Sequence, residues 1–286
     1  MAQHDSTTAT SADHASPLAA GTDTRFPFQA VAANTGRTAL VGFVSGAIAG
    51  LIAGGIGSRL AMRLVAVAGG PDIQGVETES EALVGEITTG GTTGLIVFGM
   101  IVGAVGGLMY VAARNWLPRN LRLRTPLYGA FMMFIAAVFV LDKDNSDFAK
   151  VGHPVLSVVL FAAIPFVYGL IQVPVAEWLS RSLPAVRPAR ASTRLYAVVS
   201  LVVLVPLLPV IAGSLSPNDG PMLLLILVPL ALVYALIFLR TNGERLGRVY
   251  AGPVPASVRF GGYAALAVAA GFGAYQFVDS VISIVA

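Results

Sequence analysis

Long uncharged apolar runs alternate with short polar breaks along most of this chain. Seven runs stand out, at 38–58, 92–113, 126–141, 154–175, 195–213, 221–239 and 260–284. A helix rises ~1.5 Å per residue, so about 20 apolar residues cross the ~30 Å hydrocarbon core of a bilayer. Lipid offers no water to exposed backbone groups, so such segments fold as helices. The pattern predicts an all-α fold, a polytopic transmembrane helical bundle of about seven spans over residues 38–286. The third run is short and spans only if nearly upright. The first, carried on to Gly69, is overlong, so residues 58–69 either continue the first span or lie separately at the interface. Residues 1–37 are rich in Ala, Ser, Thr and Asp and have no apolar core of a signal peptide. They read as a disordered cytoplasmic tail.

Composition agrees with the pattern. Of 286 residues 56% are hydrophobic and 12% charged, about half the charge of a typical soluble domain. The basic residues are almost all arginine, and they are unevenly placed. Arg114, Arg119, Arg122 and Arg124 follow the second run; Arg181, Arg187, Arg190 and Arg194 follow the fourth; Arg240, Arg245, Arg248 and Arg259 follow the sixth. Between them lie acidic breaks with Asp72, Glu77, Glu79, Glu81, Glu86, Asp142, Asp144, Asp147 and Asp219. Positive charge is retained in cytoplasmic loops, so the alternation predicts a cytoplasmic N-terminus and an external C-terminus. The localisation expected is the plasma membrane, multi-pass, in a bacterium. The net charge of +3 is explained by the membrane, with no nucleic acid required. The partners expected are the lipid bilayer and a membrane protein or a second copy of the chain.

Glycine recurs every fourth residue in the first span, at Gly42, Gly46, Gly50 and Gly54. The second span repeats the interval with Gly99, Gly103 and Gly107, with Gly106 beside them; the last has Gly261, Ala265, Ala269 and Gly273. Small residues at this spacing let two helix backbones approach closely. The stripes predict helix packing within the bundle, with a dimer interface or a sliding helix as the alternative.

Arg59 and Arg63 break the charge pattern, since they fall on the acidic, external side. One turn apart, they share a helix face. At ~100° per residue that face lies roughly opposite the middle of the glycine stripe. They are candidates for ion pairs with Glu86, Asp142 or Asp279, or for an anion or lipid-headgroup site. Snorkelling to phosphates is the plainer alternative.

Catalytic and cofactor chemistry is thinly represented. There is no cysteine, and the histidines are His4, His14 and His153, none of them in an apolar run. Asp142, Asp144, Asn145, Asp147 and His153 form an oxygen-rich loop, but its spacing is not that of an EF-hand. No cofactor, metal site or catalytic residue is expected. Gln172 and Gln276 are the main polar groups within the runs besides Ser and Thr.

The blocks GGIGSRLAMRLVAV, TTGGTTGLIVFGMIVGAVGGLMY with its RNWLP exit, and LDKDNSDF resemble an uncharacterised family of multi-pass membrane proteins from high-GC Gram-positive bacteria. The resemblance covers residues 40–180 and implies a topology, with no activity or site residues to transfer. The functional expectation is a non-catalytic membrane-complex or envelope-associated component. The alternative is a small permease or lipid/anion-binding transporter using Arg59 and Arg63 at its external face.

Overall fold

The computed structural model describes residues 26–70, 89–140, 154–184, 195–196, 198 and 256–285. The run at 221–239, nearly all of that at 195–213, and the acidic breaks holding Glu86 and Asp142 lie outside the described residues. Every described element is helical: α1 (Phe26–Ala49), a π-helical segment (Gly50–Gly57), α2 (Ser58–Gly69), α3 (Thr89–Ala113), α4 (Leu121–Val140), α5 (Pro154–Ser182) and α6 (Ala256–Val285). Among the described residues, four helical stretches are long and apolar enough to cross a membrane: Ala33–Gly69, Thr89–Ala113, Pro154–Ser182 and Phe260–Ile284.

Local sequence explains the helix ends. Asn120 caps α4, its Oδ1 accepting the Arg122 N–H at 3.0 Å, as an N-cap side chain does. Pro154 opens α5 at a position where its missing N–H costs nothing. Gly70 closes α2 at φ +80°, a backbone conformation that glycine adopts without steric penalty.

One sequence expectation changes here, and one alternative left open is decided. The tail reading extended to residue 37, yet α1 begins at Phe26. Residues from Ala33 onward are drawn into the bundle, where Ala33, Thr35 and Ala39 are buried. Residues 58–69 continue the first span, because the backbone stays helical through Gly57 (φ −62°, ψ −41°) and Ser58 (φ −63°, ψ −40°).

Contacts between named residues set the helix directions. Gly42 meets Gly107, Gly46 meets Gly103 and Gly50 meets Gly99, so α1 and α3 are antiparallel. Arg37 reaches Ser180 while Ser45 reaches Gln172, so α1 and α5 are also antiparallel. Gly129 packs on Gly169, and Arg124 pairs with Glu177, which opposes α4 to α5. The core lies among these four helices and includes Val41, Ala49, Tyr110, Val111, Tyr128 and Val173. Helix α6 lies along α4, with Gly273 on the backbone of Phe134 and Gly262 against the Trp116 ring. Most of its surface faces outward: Phe260, Val268, Phe272 and Tyr275 are exposed. An apolar face of this extent on a span-length helix is suited to lipid or to another apolar helix.

Candidate functional site

The glycines of α1 and α3 form a backbone-to-backbone contact. A methyl group on Gly42 would come within 2.7 Å of the Gly107 carbonyl oxygen, and methyls on Gly46 or Gly50 would overlap the carbonyls of Gly103 and Gly99. Gly54 rests against the Gly99 Cα at the end of this contact. The helices therefore approach more closely than any side chain larger than hydrogen permits, a distance at which Cα–H···O contacts form. In the last span the small residues part company: Gly273 packs on α4, whereas Gly261 has open space around it.

Helix α5 binds the outer edge of this pair through hydroxyl groups. Tyr168 donates to the Gly103 carbonyl at 2.7 Å, and Tyr128 of α4 donates to the Gly106 carbonyl at 2.7 Å. Both tyrosines are buried. Gln172, one turn beyond Tyr168, donates from Nε2 to Ser45 Oγ at 3.0 Å, and Ser45 donates back to the Val41 carbonyl. The Gln172 Oε1 is sealed from solvent with no hydrogen-bond partner.

The strongest electrostatic feature lies at one end of the bundle. Glu177 of α5 accepts from Arg124 Nη1 at 2.7 Å and from the Tyr110 hydroxyl at 2.9 Å on one oxygen, and from Arg114 Nη2 at 2.7 Å on the other. Glu177 and Arg124 are buried, whereas the Arg114 side chain is 32% exposed. Arg124 also donates from Nε to the Pro118 carbonyl at 2.7 Å, fixing the α3–α4 turn. One carboxylate thus ties the end of α3, the start of α4 and the last turns of α5.

Arg37 completes this end. Its Nη2 donates to the carbonyls of Ser180 at 2.6 Å and Leu183 at 2.9 Å, and its Nε to that of Pro184 at 3.0 Å. These carbonyls lie at the end of α5, where intrahelical partners run out and the helix dipole is negative. A guanidinium there satisfies both demands.

In the sequence, Arg114 and Arg124 count as topology signals, Arg37 falls within the 1–37 tail, and Glu177 goes unremarked. The available signal was its isolation: Glu177 is an acidic residue at the end of an apolar run, in a flank otherwise rich in arginine. A carboxylate in that setting calls for a guanidinium partner.

The residues singled out on the opposite side are not gathered into one described cluster. Arg59 is partly buried, with its Nε closed off from solvent and without a hydrogen-bond partner, whereas Arg63 is exposed. Asp279 is exposed near the end of α6, and Glu86 and Asp142 lie outside the described residues. The ~100° projection that set the arginines opposite the glycines assumes an unbroken α-helix, which this stretch is not. Gly50–Gly57 is π-helical, with i→i+5 hydrogen bonding, and its wider turn changes the azimuth of everything after it.

On the outer surface, α4, α5 and α6 enclose an open groove of about 470 Å³ lined by Met133, Val158, Val159, Ala162, Phe166 and Phe277. Its lining is apolar, suited to hydrocarbon and without groups for chemistry. No metal-competent cluster of His, Asp or Glu occurs among the described residues. Comparison with protein-family models, with curated proteins and with solved structures finds no match.

Proposed function

We propose that this chain is a seven-span protein of the bacterial plasma membrane, with its N-terminus in the cytoplasm, acting as a non-catalytic structural component of a membrane complex. The alternation of arginine-rich and acidic breaks supports the topology. The observation that carries the function is where the polar groups of the core are used. Tyr110, Tyr128, Tyr168, Ser45, Arg37, Arg114, Arg124 and Glu177 all bind one helix to another or to a helix end. With the glycine contacts of α1 and α3, they make a body whose helices cannot slide without breaking several bonds at once. Helix α6 presents an apolar outward face suited to a neighbouring membrane protein.

Native mass spectrometry of the protein extracted in mild detergent tests this reading. A partner protein or second copy retained in fixed stoichiometry supports it. A monomer that carries only a bound lipid or solute overturns it.

Arg59 favours a second reading, a lipid- or anion-binding transporter. A buried guanidinium N–H without an acceptor is costly, and an oxyanion would supply one. Under this reading the extracted protein retains a phospholipid or inorganic anion that the Arg59→Gln variant loses.

A further inference from the structure

The π-helical segment separates two parts of one continuous helix that are held very differently. Upstream, α1 is locked to α3 through Gly42 and Gly46, and the segment itself begins on α3 at Gly50. Downstream, α2 is lightly held: Ala61, Val65 and Ala66 are buried, while Leu60, Leu64 and Val67 are exposed. Two apolar ridges therefore run along α2 one residue apart, Ala61 with Val65 and Leu60 with Leu64, and only the first is packed.

A π-helical turn amounts to about one residue inserted into an α-helix, since each hydrogen bond reaches one residue further. Over Gly50–Gly57 this takes up one residue of length. Were the segment to convert to α-helix, α1 would stay fixed and α2 would advance by ~1.5 Å and turn by ~100°. Each α2 residue would then take the place now held by its successor. Leu60 and Leu64 would enter the places of Ala61 and Val65, and Ala66 would move to the exposed place of Val67. Arg59 would leave its partly buried position for the exposed place of Leu60.

The segment is suited to such an exchange. Its sequence GLIAGGIG is half glycine, which lowers the barrier to backbone rearrangement. Gly54 and Gly55 rest on Gly99 and Ile96 of α3, whereas a methyl group on Gly57 would meet only the Ile52 carbonyl of its own helix, at an ordinary 3.5 Å. Neighbouring helices therefore clamp the start and middle of the segment but leave its last residue free to rearrange. The Arg59 Nε, buried without a partner, gains an exit from its present position.

We propose that Gly50–Gly57 is a register switch, in which π-to-α conversion moves α2 by one residue against a fixed α1–α3 pair and exchanges the Ala61/Val65 ridge for the Leu60/Leu64 ridge. The less populated register, at about 1–10% of molecules, is within the usual range for such minor states. This inference does not depend on the function proposed above.

The chain has no cysteine, so single cysteines report accessibility directly. Ala61 and Ala66 are equally buried, at 4% and 3% exposure. The switch carries residue 66 to the place of Val67, 72% exposed, and residue 61 only to the half-buried place of Met62. In the full-length protein in membranes, Ala66→Cys should react with a small membrane-permeant thiol reagent about tenfold faster than Ala61→Cys, whereas global opening exposes both alike. Deleting Ile56 removes the inserted residue and leaves α2 in its present register. In that background, Ala66→Cys labelling should fall by about tenfold, with Ala112→Cys unchanged as a folding control. Equal rates at residues 61 and 66 in the undeleted chain overturn the switch, whether or not the deletion variant folds. So does rapid labelling at residue 66 that persists in the folded deletion variant.

Discussion

The Tyr168 hydroxyl of α5 donates to the backbone carbonyl of Gly103 in α3 at 2.7 Å, at the residue where α3 already touches Gly46 of α1 and Gly50 just after it. Three helices therefore meet at one glycine, and the phenol reads a carbonyl that only the absence of side chains leaves accessible. Hydrogen bonds between membrane helices are worth about 0.6 kcal/mol on average. Tyr168→Phe should lower the thermal midpoint of the detergent-solubilised protein by a few degrees and preserve the fold, as followed by circular dichroism.

Substitutions at the glycines should sort by what lies opposite them. Gly46→Ala and Gly50→Leu drive a side chain into the carbonyls of Gly103 and Gly99, and overpacking of this kind costs about 1–3 kcal/mol or more. Gly90 and Gly94, in the first turns of α3, have nothing within 4 Å. Alanine there should be neutral or stabilise by up to ~1 kcal/mol through helix propensity. Monodispersity on size-exclusion chromatography and the thermal midpoint should separate the two classes.

Glu177 holds two guanidinium groups and a phenol, so its removal is costlier than the removal of any one of them. Glu177→Ala leaves Arg124 buried and unpaired, a change that costs about 3–5 kcal/mol in comparable buried pairs. Arg114→Ala should cost much less, because that side chain is 32% exposed and shares its partner. A thermal shift assay on Glu177→Ala, Arg124→Ala and Arg114→Ala should show the first two strongly destabilised and the third mildly.

Arg37 caps the end of α5 from a helix whose start is more than 140 residues earlier in the chain. Replacing it with Ala releases the carbonyls of Ser180, Leu183 and Pro184. Hydrogen–deuterium exchange should then rise in the last turns of α5 and remain unchanged around Gly103, because the glycine contacts do not involve Arg37.

These relationships were unevenly legible in the sequence. Positions Gly42 to Gly54 and Gly99 to Gly107 declare themselves by their interval, since close backbone approach in an apolar helix needs small residues one turn apart. Their pairing, however, is a tertiary fact: the interval does not say which glycine meets which. The ion-pair cluster was obscured because Arg114 and Arg124 read equally well as topology signals, and a charge count does not distinguish a solvated arginine from one bonded to a carboxylate across the bundle. Arg37 sat in a segment whose low hydrophobicity suggested disorder, and its order comes from bonds to α5. The azimuth of Arg59 could not be projected from the glycines, because the run GLIAGGIG carries no periodic mark of the π-helical turn it adopts.

The pairing of α1 with α3 also bears on the order in which the molecule is made. Both halves of the glycine contact, from Gly42 to Gly107, are synthesised before α4 and α5 leave the ribosome. The first helical hairpin can close with what has already been inserted. Tyr128 and then Tyr168 arrive later at a surface already bearing the Gly106 and Gly103 carbonyls, and Glu177 comes last to arginines already in place. Assembly of this part of the chain can thus follow its synthesis from N-terminus to C-terminus, each new helix docking on a template completed by those before it.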